Sequence, residues 1–162
     1  MICLYPGTFC PPHEGHLAVA RRLAGMFSEV YIVCSVNPEK DGQVLFTPEE
    51  CKLFWKYYDL PGNVKIFTLA ELMATGIDFT NAPMVRGVRG DDDFEYEKKV
   101  MMDNYHTLGI NMFLVMVSDD RYKDISSTRA RTLAKAGELD LLCEIVARPI
   151  AIELIAKFKS MD

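Results

Sequence analysis

The sequence lacks any long apolar run: none of its segments approaches the roughly 18 consecutive apolar residues that a membrane-spanning helix requires. Its start, MICLYPG, also lacks the charged beginning and the long apolar stretch of a signal peptide. Basic residues are outnumbered, since 18 Lys and Arg stand against 23 Asp and Glu and give a net charge of −5. We therefore expect no membrane span and no general nucleic-acid binding, whereas a small anionic ligand responds to the local field and is compatible with this charge.

The sequence also lacks a CxxC pair and has an odd number of cysteines. The five are scattered along the chain: Cys3, Cys10, Cys34, Cys51 and Cys143. Because a disulfide framework normally pairs an even number of cysteines, we expect reduced thiols, most of them buried as small apolar groups. This cysteine usage predicts a cytoplasmic protein.

What is present is an ordinary globular composition, 49% hydrophobic and 25% charged, in a chain whose length predicts a single domain over residues 1–162. Strands are predicted in MICLY, EVYIVCSV, NVKIF, APMVRG and NMFLVMVS. Helices are predicted in HEGHLAVARRLAGMF, TPEECKLFWKYYD, DFEYEKKVMMDNYHTL, SSTRARTLAKAG and PIAIELIAKFKS. This alternation predicts an α/β fold, a Rossmann-like doubly wound five-stranded parallel sheet with helices on both faces.

The stretch YPGTFCPPHEGH connects the first predicted strand to the first predicted helix. Gly7 is expected to allow a tight turn after the strand, and Gly15 to let a phosphate approach the backbone. His13 and His16 are three residues apart and share a face of the first helical turn, where N–H groups and the helix dipole favour anions. Either histidine alone fits a helix cap or a packed side chain equally well, but the whole string favours a phosphate site.

The stretch ISSTRAR comes directly before and into another predicted helix. One hydroxyl among Ser126, Ser127 and Thr128 is expected to cap that helix. The three hydroxyls, together with backbone N–H groups and the nearby Arg129 and Arg131, form an equally good phosphate cradle.

The stretch VRGVRGDDDFEYE follows the fourth predicted strand and holds Arg86 and Arg89. Guanidinium groups grip phosphate oxygens in pairs, so these arginines suit a polyphosphate. The acidic run at 91–93 suits the start of a helix and could also orient the arginines. Lys40, in NPEKDGQVLFT, follows the second strand end and is expected near the same site.

In their order along the chain, these four segments resemble the nucleotidyltransferase superfamily, which is marked by HxGH-type and ISS-type motifs. Within that superfamily they most resemble the bacterial phosphopantetheine adenylyltransferases. RGVRGDDDFEYE is similar to that family's RGLRxxxDFEYE, and YPGTF…GH and NPEK…LFTPEE also match. The resemblance implies that the adenylyl group of ATP is transferred to 4′-phosphopantetheine, giving dephospho-coenzyme A and pyrophosphate. It also implies Mg²⁺ bound mainly through the ATP phosphates, and a homohexamer.

The resemblance further implies a role for each matching position. Implied catalytic residues are Thr8, His16, Lys40 and Arg89. Residues implied to bind the nucleotide are Phe9 (through its backbone), His13, His16, Arg89, Glu97, Tyr122, Ser126, Ser127 and Thr128. Those implied to bind the acceptor are Thr8, Lys40, Leu72, Met73, Arg86 and Asn104, and no residue is implied as a metal ligand.

The sequence departs from the family at three places. Cys10 stands where the family has Asp in TFDP, and the loop after Lys40 is about two residues longer. PPHEGH and ISSTRAR are more similar to the nicotinate mononucleotide adenylyltransferase branch, whose ring substrate would need a stacking aromatic. Trp55 is the only tryptophan, and its spacing from Leu53 and Tyr58 is typical of packing.

Three alternatives therefore stay open. The chain could be a nicotinate or nicotinamide mononucleotide adenylyltransferase, or a cytidylyltransferase, although the usual middle and end motifs of the latter are missing. The third is a nucleotide-binding regulatory module that has lost the chemistry.

Overall fold

The computed structural model describes residues 1–36, 45–88 and 91–162, except for the side chains of residues 91–93. The strands are β1 Ile2–Gly7, β2 Glu29–Cys34, β3 Val64–Thr68, β4 Met84–Val88 and β5 Phe113–Val117. The helices are α1 Glu14–Ala24, α2 Pro48–Phe54, α3 Leu69–Ala74, α4 Asp91–Leu108, α5 Ser127–Ala136, α6 Leu139–Cys143 and α7 Arg148–Met161. Short 3₁₀ turns cover Trp55–Tyr57 and Asp120–Tyr122.

The five strands form one parallel sheet in the order β3-β2-β1-β4-β5. The register between β1 and β2 runs from Ile2 opposite Glu29 to Gly7 opposite Cys34. The chain builds outward from β1 to β3 and then returns to add β4 on the other side of β1. This order confirms the predicted fold class, and it places the switch in strand order between β1 and β4, where such sheets bind ligands.

The two faces of the sheet are buried under different groups of helices. Along β1, Cys3 and Tyr5 point into a large core cluster that also contains apolar residues of α1, α5 and α7. Leu4, between them, points into a smaller cluster that includes Leu72 of α3. Because side chains alternate along a strand, this separation confirms the predicted helices on both faces.

Several helix starts are set by reciprocal capping. Before α2, the Thr47 hydroxyl accepts from the Glu50 N–H at 3.2 Å, and the Glu50 carboxylate accepts from the Thr47 N–H at 2.8 Å. Thr68 and Glu71 repeat this arrangement before α3. Each capping box satisfies two backbone donors, which fixes the first turn of even a six-residue helix.

Some predicted element boundaries were wrong. Neither α3 nor α6 was predicted, because helices of six and five residues are too short to show a periodic apolar stripe. The helix predicted in TPEECKLFWKYYD ends at Phe54 and continues only as a 3₁₀ turn. The packed role of Trp55 is supported by its complete burial, whereas Leu53 is 58% exposed and faces outward.

None of the five cysteines, all of which the structure describes, forms a disulfide, and all but Cys143 are buried. This agrees with the predicted role of most of them as buried apolar groups. In the part of the chain that the structure describes, no helix has both the length and the apolar composition of a membrane span.

Candidate active site

A cavity of about 910 Å³ opens at the carboxyl ends of β1 and β4. The described residues predicted as catalytic, nucleotide-binding or acceptor-binding all line it: Thr8, Phe9, His13, His16, Leu72, Met73, Arg86, Glu97, Asn104, Tyr122, Ser126, Ser127 and Thr128. Of the two arginines predicted to join the phosphate cradle, Arg131 lines the cavity, whereas Arg129 does not and donates to the Asp124 carbonyl at 3.2 Å. Lys40 and Arg89 lie outside the described residues. Segments that are far apart in the sequence thus share one cavity, as expected, although Arg86 lies within β4 and not past its end as predicted.

The two histidines cap α1 and stack on one another. His13 is the N-cap, and its Nδ1 accepts from the backbone N–H of Gly15 at 3.1 Å and of His16 at 3.4 Å. His16 Nδ1 in turn accepts from the His13 N–H at 3.3 Å, and the ring centroids are 3.6 Å apart. Because each Nδ1 is an acceptor, the neutral imidazoles carry their hydrogen on Nε2. Capping and lining the cavity are therefore compatible, and the caps fix the orientation of both rings.

The turn before α1 differs from the predicted one, because Phe9 and not Gly7 makes it. Gly7 is the last residue of β1, paired with Cys34, whereas Phe9 has a left-handed φ of 47°. A Cβ on Gly7 would meet the Phe9 ring at 2.8 Å, so the glycine is needed for close packing. The left-handed backbone costs Phe9 about 1–2 kcal/mol. Its ring offsets this by packing edge-on against His16, with centroids 4.9 Å apart.

Gly15 lines the cavity, as its predicted role requires, and it also makes room for the His13 ring. A Cβ at this position would lie 3.0 Å from Cε1 of the His13 ring and 3.6 Å from Cβ of Tyr122. The space that the missing side chain leaves is thus taken by the capping imidazole. Gly15 allows His13 to fold back over the first turn of α1, and this holds the ring against the cavity wall.

The start of α5 is fastened to the loop that precedes α1. The Ser126 hydroxyl caps α5 by accepting from the Arg129 N–H at 3.0 Å, which agrees with the predicted cap. The Ser127 hydroxyl donates to the Pro11 carbonyl at 2.8 Å. Arg131 donates to the Cys10 carbonyl at 2.8 Å. These bonds hold the start of α5 against the loop before α1, and both helix starts line the same cavity.

Arg86 joins three elements around the switch in strand order. It lies in β4, its Nε and Nη2 donate to the two carboxylate oxygens of Glu97 in α4, and its Nη1 donates to the Pro6 carbonyl of β1 at 2.7 Å. Both side chains are largely buried, with 17% of Arg86 and 9% of Glu97 exposed. These bonds use three of the five guanidinium N–H groups, and a guanidinium fixed in this way can offer the other two to a phosphate.

Residues of α3 and α4 also line the cavity. Leu72 is buried at 3% exposure and Met73 is 58% exposed, so only Leu72 is part of the core. On α4, the Asn104 Nδ2 donates to the Val100 carbonyl at 2.8 Å. Sequence reasoning missed Tyr96, Lys99, Val100, Asp103 and Leu108, which line the same cavity. Helical spacing from Glu97 and Asn104 could have found most of them, because they share one face of α4.

Comparisons with known proteins identify the family of this chain. A family model described as cytidylyltransferase-like matches residues 4–133. That match covers most of the chain and defines its class as a nucleotidyltransferase. The phosphopantetheine adenylyltransferase of Aquifex aeolicus (strain VF5) is 38% identical over 143 residues, which are 85% of each chain. That of Corynebacterium glutamicum (strain R) is 32% identical over 156 residues, 93% of this chain and 95% of that protein. The chain therefore belongs to the phosphopantetheine adenylyltransferases within the cytidylyltransferase-like family.

Solved structures of lower identity share the fold. The Plasmodium falciparum nicotinic acid mononucleotide adenylyltransferase complexed with NaAD has a TM-score of 0.57 at 15% identity and covers 97% of this chain and 95% of its own. The NadR protein in complex with NAD and AMP-PNP has a TM-score of 0.52 at 18% identity, over 83% of this chain and 42% of that one. At such identities the likeness shows the Rossmann-like fold alone.

Proposed function

We propose that this enzyme transfers the adenylyl group of ATP to 4′-phosphopantetheine, giving dephospho-coenzyme A and pyrophosphate. An oxygen of the acceptor's phosphate attacks the α-phosphorus, and the bond from that phosphorus to the oxygen bridging to the β-phosphate breaks. The observation that carries the proposal is that the starts of α1 and α5 line the same cavity as residues of α3 and α4. A phosphate oxygen is already a competent nucleophile, so positioning and charge stabilisation suffice and no covalent intermediate is needed.

At the nucleotide end, His16 donates from Nε2 to the α-phosphate as negative charge builds up in the transition state. Its ring is fixed by the cap at its Nδ1 and by contacts with His13 and Phe9, so little reorganisation is needed during reaction. Thr8 holds the reacting phosphates with it. The nucleotide is also bound by the backbone of Phe9, by His13, Glu97 and Tyr122, and by the start of α5 at Ser126, Ser127 and Thr128, while Arg89 binds the leaving phosphates.

At the acceptor end, Arg86 grips the phosphate of 4′-phosphopantetheine together with Lys40. The bidentate pair with Glu97 fixes the plane of the Arg86 guanidinium, which makes Glu97 a positioning residue for the acceptor in addition to its proposed contact with nucleotide. The long amide arm extends along Leu72, Met73 and Asn104.

Mg²⁺ would reach this site on the phosphates of ATP. Among the residues that the structure describes, no cluster of three or more His, Cys, Asp or Glu side chains is arranged to hold a metal ion. A hard cation that keeps several waters and binds through substrate phosphates fits such a site. When bound, it neutralises charge on the triphosphate.

We further propose that the chain acts as one domain in a cytoplasmic homohexamer. Exposed apolar side chains on α4 and on the edge strand β5 support an interface: Phe94, Met102, Tyr105, Val115 and Val117 are each at least 38% exposed. Sedimentation velocity should find a particle of about 110 kDa, six times the 18.4 kDa chain. A species of the single-chain mass at micromolar concentration would refute the hexamer.

The catalytic proposal is tested by pyrophosphate release from ATP and Mg²⁺ with three acceptors in parallel: 4′-phosphopantetheine, nicotinate mononucleotide and nicotinamide mononucleotide. We expect release with 4′-phosphopantetheine alone. Release only with a pyridine mononucleotide would refute the acceptor assignment, and release with CTP in place of ATP would refute the nucleotide assignment. No release with any combination would support a regulatory module.

A further inference from the structure

Tyr58 connects the segment between α6 and α7 to the loop before α1 by two hydrogen bonds. Its hydroxyl donates to the Pro12 carbonyl at 3.0 Å and accepts from the backbone N–H of Ala147 at 3.3 Å. Tyr58 is 9% exposed and Pro12 is fully buried, so the bond between them is shielded from water and costly to lose. Two hydrogen bonds that share one hydroxyl polarise each other, which strengthens the connection.

The loop before α1 is anchored on both sides of His13. Directly before this residue, the Pro12 carbonyl accepts from Tyr58. Directly after it, the Glu14 N–H donates to the Ile145 carbonyl at 3.0 Å. Both anchors lead to the segment between α6 and α7, so the backbone around His13 is fixed from one side of the molecule. This keeps its Nδ1 within reach of the two N–H groups that it caps.

The ring of Tyr58 begins a series of edge-on aromatic contacts that ends at His16. The ring centroids are 5.9 Å apart from Tyr58 to Trp55, 5.2 Å from Trp55 to Phe9, and 4.9 Å from Phe9 to His16. Trp55 is completely buried, and neither it nor Tyr58 lines the cavity. Because close-packed side chains transmit a displacement, the position of Tyr58 affects His16 as well as His13.

We propose that Tyr58 is a positioning residue that fixes the imidazoles of His13 and His16 for adenylyl transfer. It acts through the Pro12 carbonyl and lies outside the cavity wall, so it does not touch either substrate. Without its hydroxyl, that carbonyl and the Ala147 N–H would be buried without a partner, and the loop would move to find new ones. The effect on the rate rests on the proposed function, whereas the effect on the imidazoles does not.

The kinetic test compares Tyr58→Phe with Tyr57→Phe in the full-length protein. The control is matched because the neighbouring Tyr57 hydroxyl donates to Glu153 of α7 at 3.3 Å and leaves the loop before α1 untouched. A displacement of about 1 Å at reacting groups can lower a rate by about a hundredfold. We therefore expect kcat of Tyr58→Phe, corrected for the folded fraction, to fall about 10- to 100-fold, with each KM changed by less than about threefold. Tyr57→Phe should leave kcat unchanged.

The second readout is the ¹⁵N NMR spectrum of the imidazoles at about pH 8, where an unperturbed histidine is neutral. The chain has three histidines, so His106 serves as an internal reference for His13 and His16. In the wild type and in Tyr57→Phe, we expect both to carry their hydrogen on Nε2. In Tyr58→Phe, their Nδ1 signals should move toward those of the other tautomer, because the caps that select the tautomer are loosened.

Two results would overturn the proposal. One is a Tyr58→Phe variant with a lower Tm but wild-type kcat and imidazole signals, which is the result of a structural role alone. The other is a fall in kcat with unchanged imidazole signals. Failure of the proposed function would look different, because the imidazole signals would respond to Tyr58→Phe in a protein without adenylyl transfer to lose.

A milder replacement serves if Tyr58→Phe does not fold. Replacing Tyr58 by 3-fluorotyrosine keeps the hydroxyl and makes it a stronger donor to the Pro12 carbonyl. This change should shift the Nδ1 signal of His13, whereas the same replacement of Tyr57 should leave that signal in place. A His13 signal that stays in place in both proteins would overturn the proposal.

Discussion

Replacing Glu97 by Gln tests the arrangement that orients Arg86. The carboxylate accepts from Nε and Nη2 of Arg86, and the Pro6 carbonyl accepts from Nη1. Glutamine keeps one acceptor oxygen but places an NH₂ group where the second oxygen was, so one N–H of the guanidinium faces another donor. Arg86 stays largely buried and loses its counter-charge. It should therefore lose its fixed orientation.

The size of the effect follows from that loss. A hydrogen bond to a charged group contributes about 1.5–3 kcal/mol, and removing one partner of a buried pair costs about 3–5 kcal/mol. Because glutamine retains one acceptor and Arg86 keeps its bond to Pro6, we expect the free energy of unfolding to fall by about 2 kcal/mol. If a comparable part of the binding energy of the acceptor phosphate is lost, its KM should rise about 10- to 30-fold.

The assays are denaturant unfolding and steady-state kinetics with each substrate varied in turn. Glu95→Gln is the matched control, because Glu95 is exposed on the same helix and its replacement should change stability by less than about 0.5 kcal/mol. The expected signature of Glu97→Gln is a raised KM for the acceptor with a smaller change in the KM for ATP. A raised KM for ATP with the acceptor unaffected would refute positioning and leave Glu97 as a nucleotide contact alone.

Three further variants test other parts of the site. His16→Ala should lower kcat by about two to four orders of magnitude with little change in ATP affinity. The control His106→Ala, on an exposed turn of α4, should leave kcat unchanged. Weakened ATP binding at normal kcat would contradict a role of His16 in the transition state. Gly7→Ala should destabilise the fold by about 1–3 kcal/mol in thermal unfolding, because the added Cβ would meet the Phe9 ring at 2.8 Å. The control Gly62→Ala adds a Cβ in open space and should have a smaller effect. Equal effects of the two variants would refute the packing role of Gly7. In the fold the pKa of Cys10 is lowered to about 6, whereas the unfolded chain keeps this proton up to the ordinary pKa of 9.0. The free energy of unfolding of the wild type, relative to that of Cys10→Ser, should therefore rise as pH increases from about 6 to 9.0. A difference that stays constant over this range would argue against a thiolate at pH 7.

The fold class, and the grouping of the predicted site residues around one cavity, could be predicted from the sequence because both follow from local signals. Alternating strand and helix periods imply a parallel sheet, and residues behind strand ends of such a sheet meet at one edge. A hydroxyl cap on α5 could be predicted because Ser and Thr are favoured before a helical run, whereas the choice of Ser126 among the three hydroxyls could not. These predictions need no knowledge of which distant side chains touch.

The parts that could not be predicted depend on contacts across the fold. Gly7 was predicted to make a turn, whereas its missing side chain makes room for the Phe9 ring, and the close contact of Gly15 with the His13 ring was not predicted. The pairing of Arg86 with Glu97 needs β4 and α4 to be placed in space. The bond from Arg131 to the Cys10 carbonyl joins residues 121 positions apart in the sequence, and only the placement of α5 beside the loop before α1 brings them together.

The central claim is that both substrates meet in one cavity and are joined there. The most direct test incubates the protein with ATP, Mg²⁺ and 4′-phosphopantetheine and identifies the products by mass spectrometry over time. We expect dephospho-coenzyme A and pyrophosphate in equal amounts, with neither formed when the acceptor is omitted. AMP released without an adenylylated acceptor, or an unchanged acceptor after complete consumption of ATP, would contradict the claim.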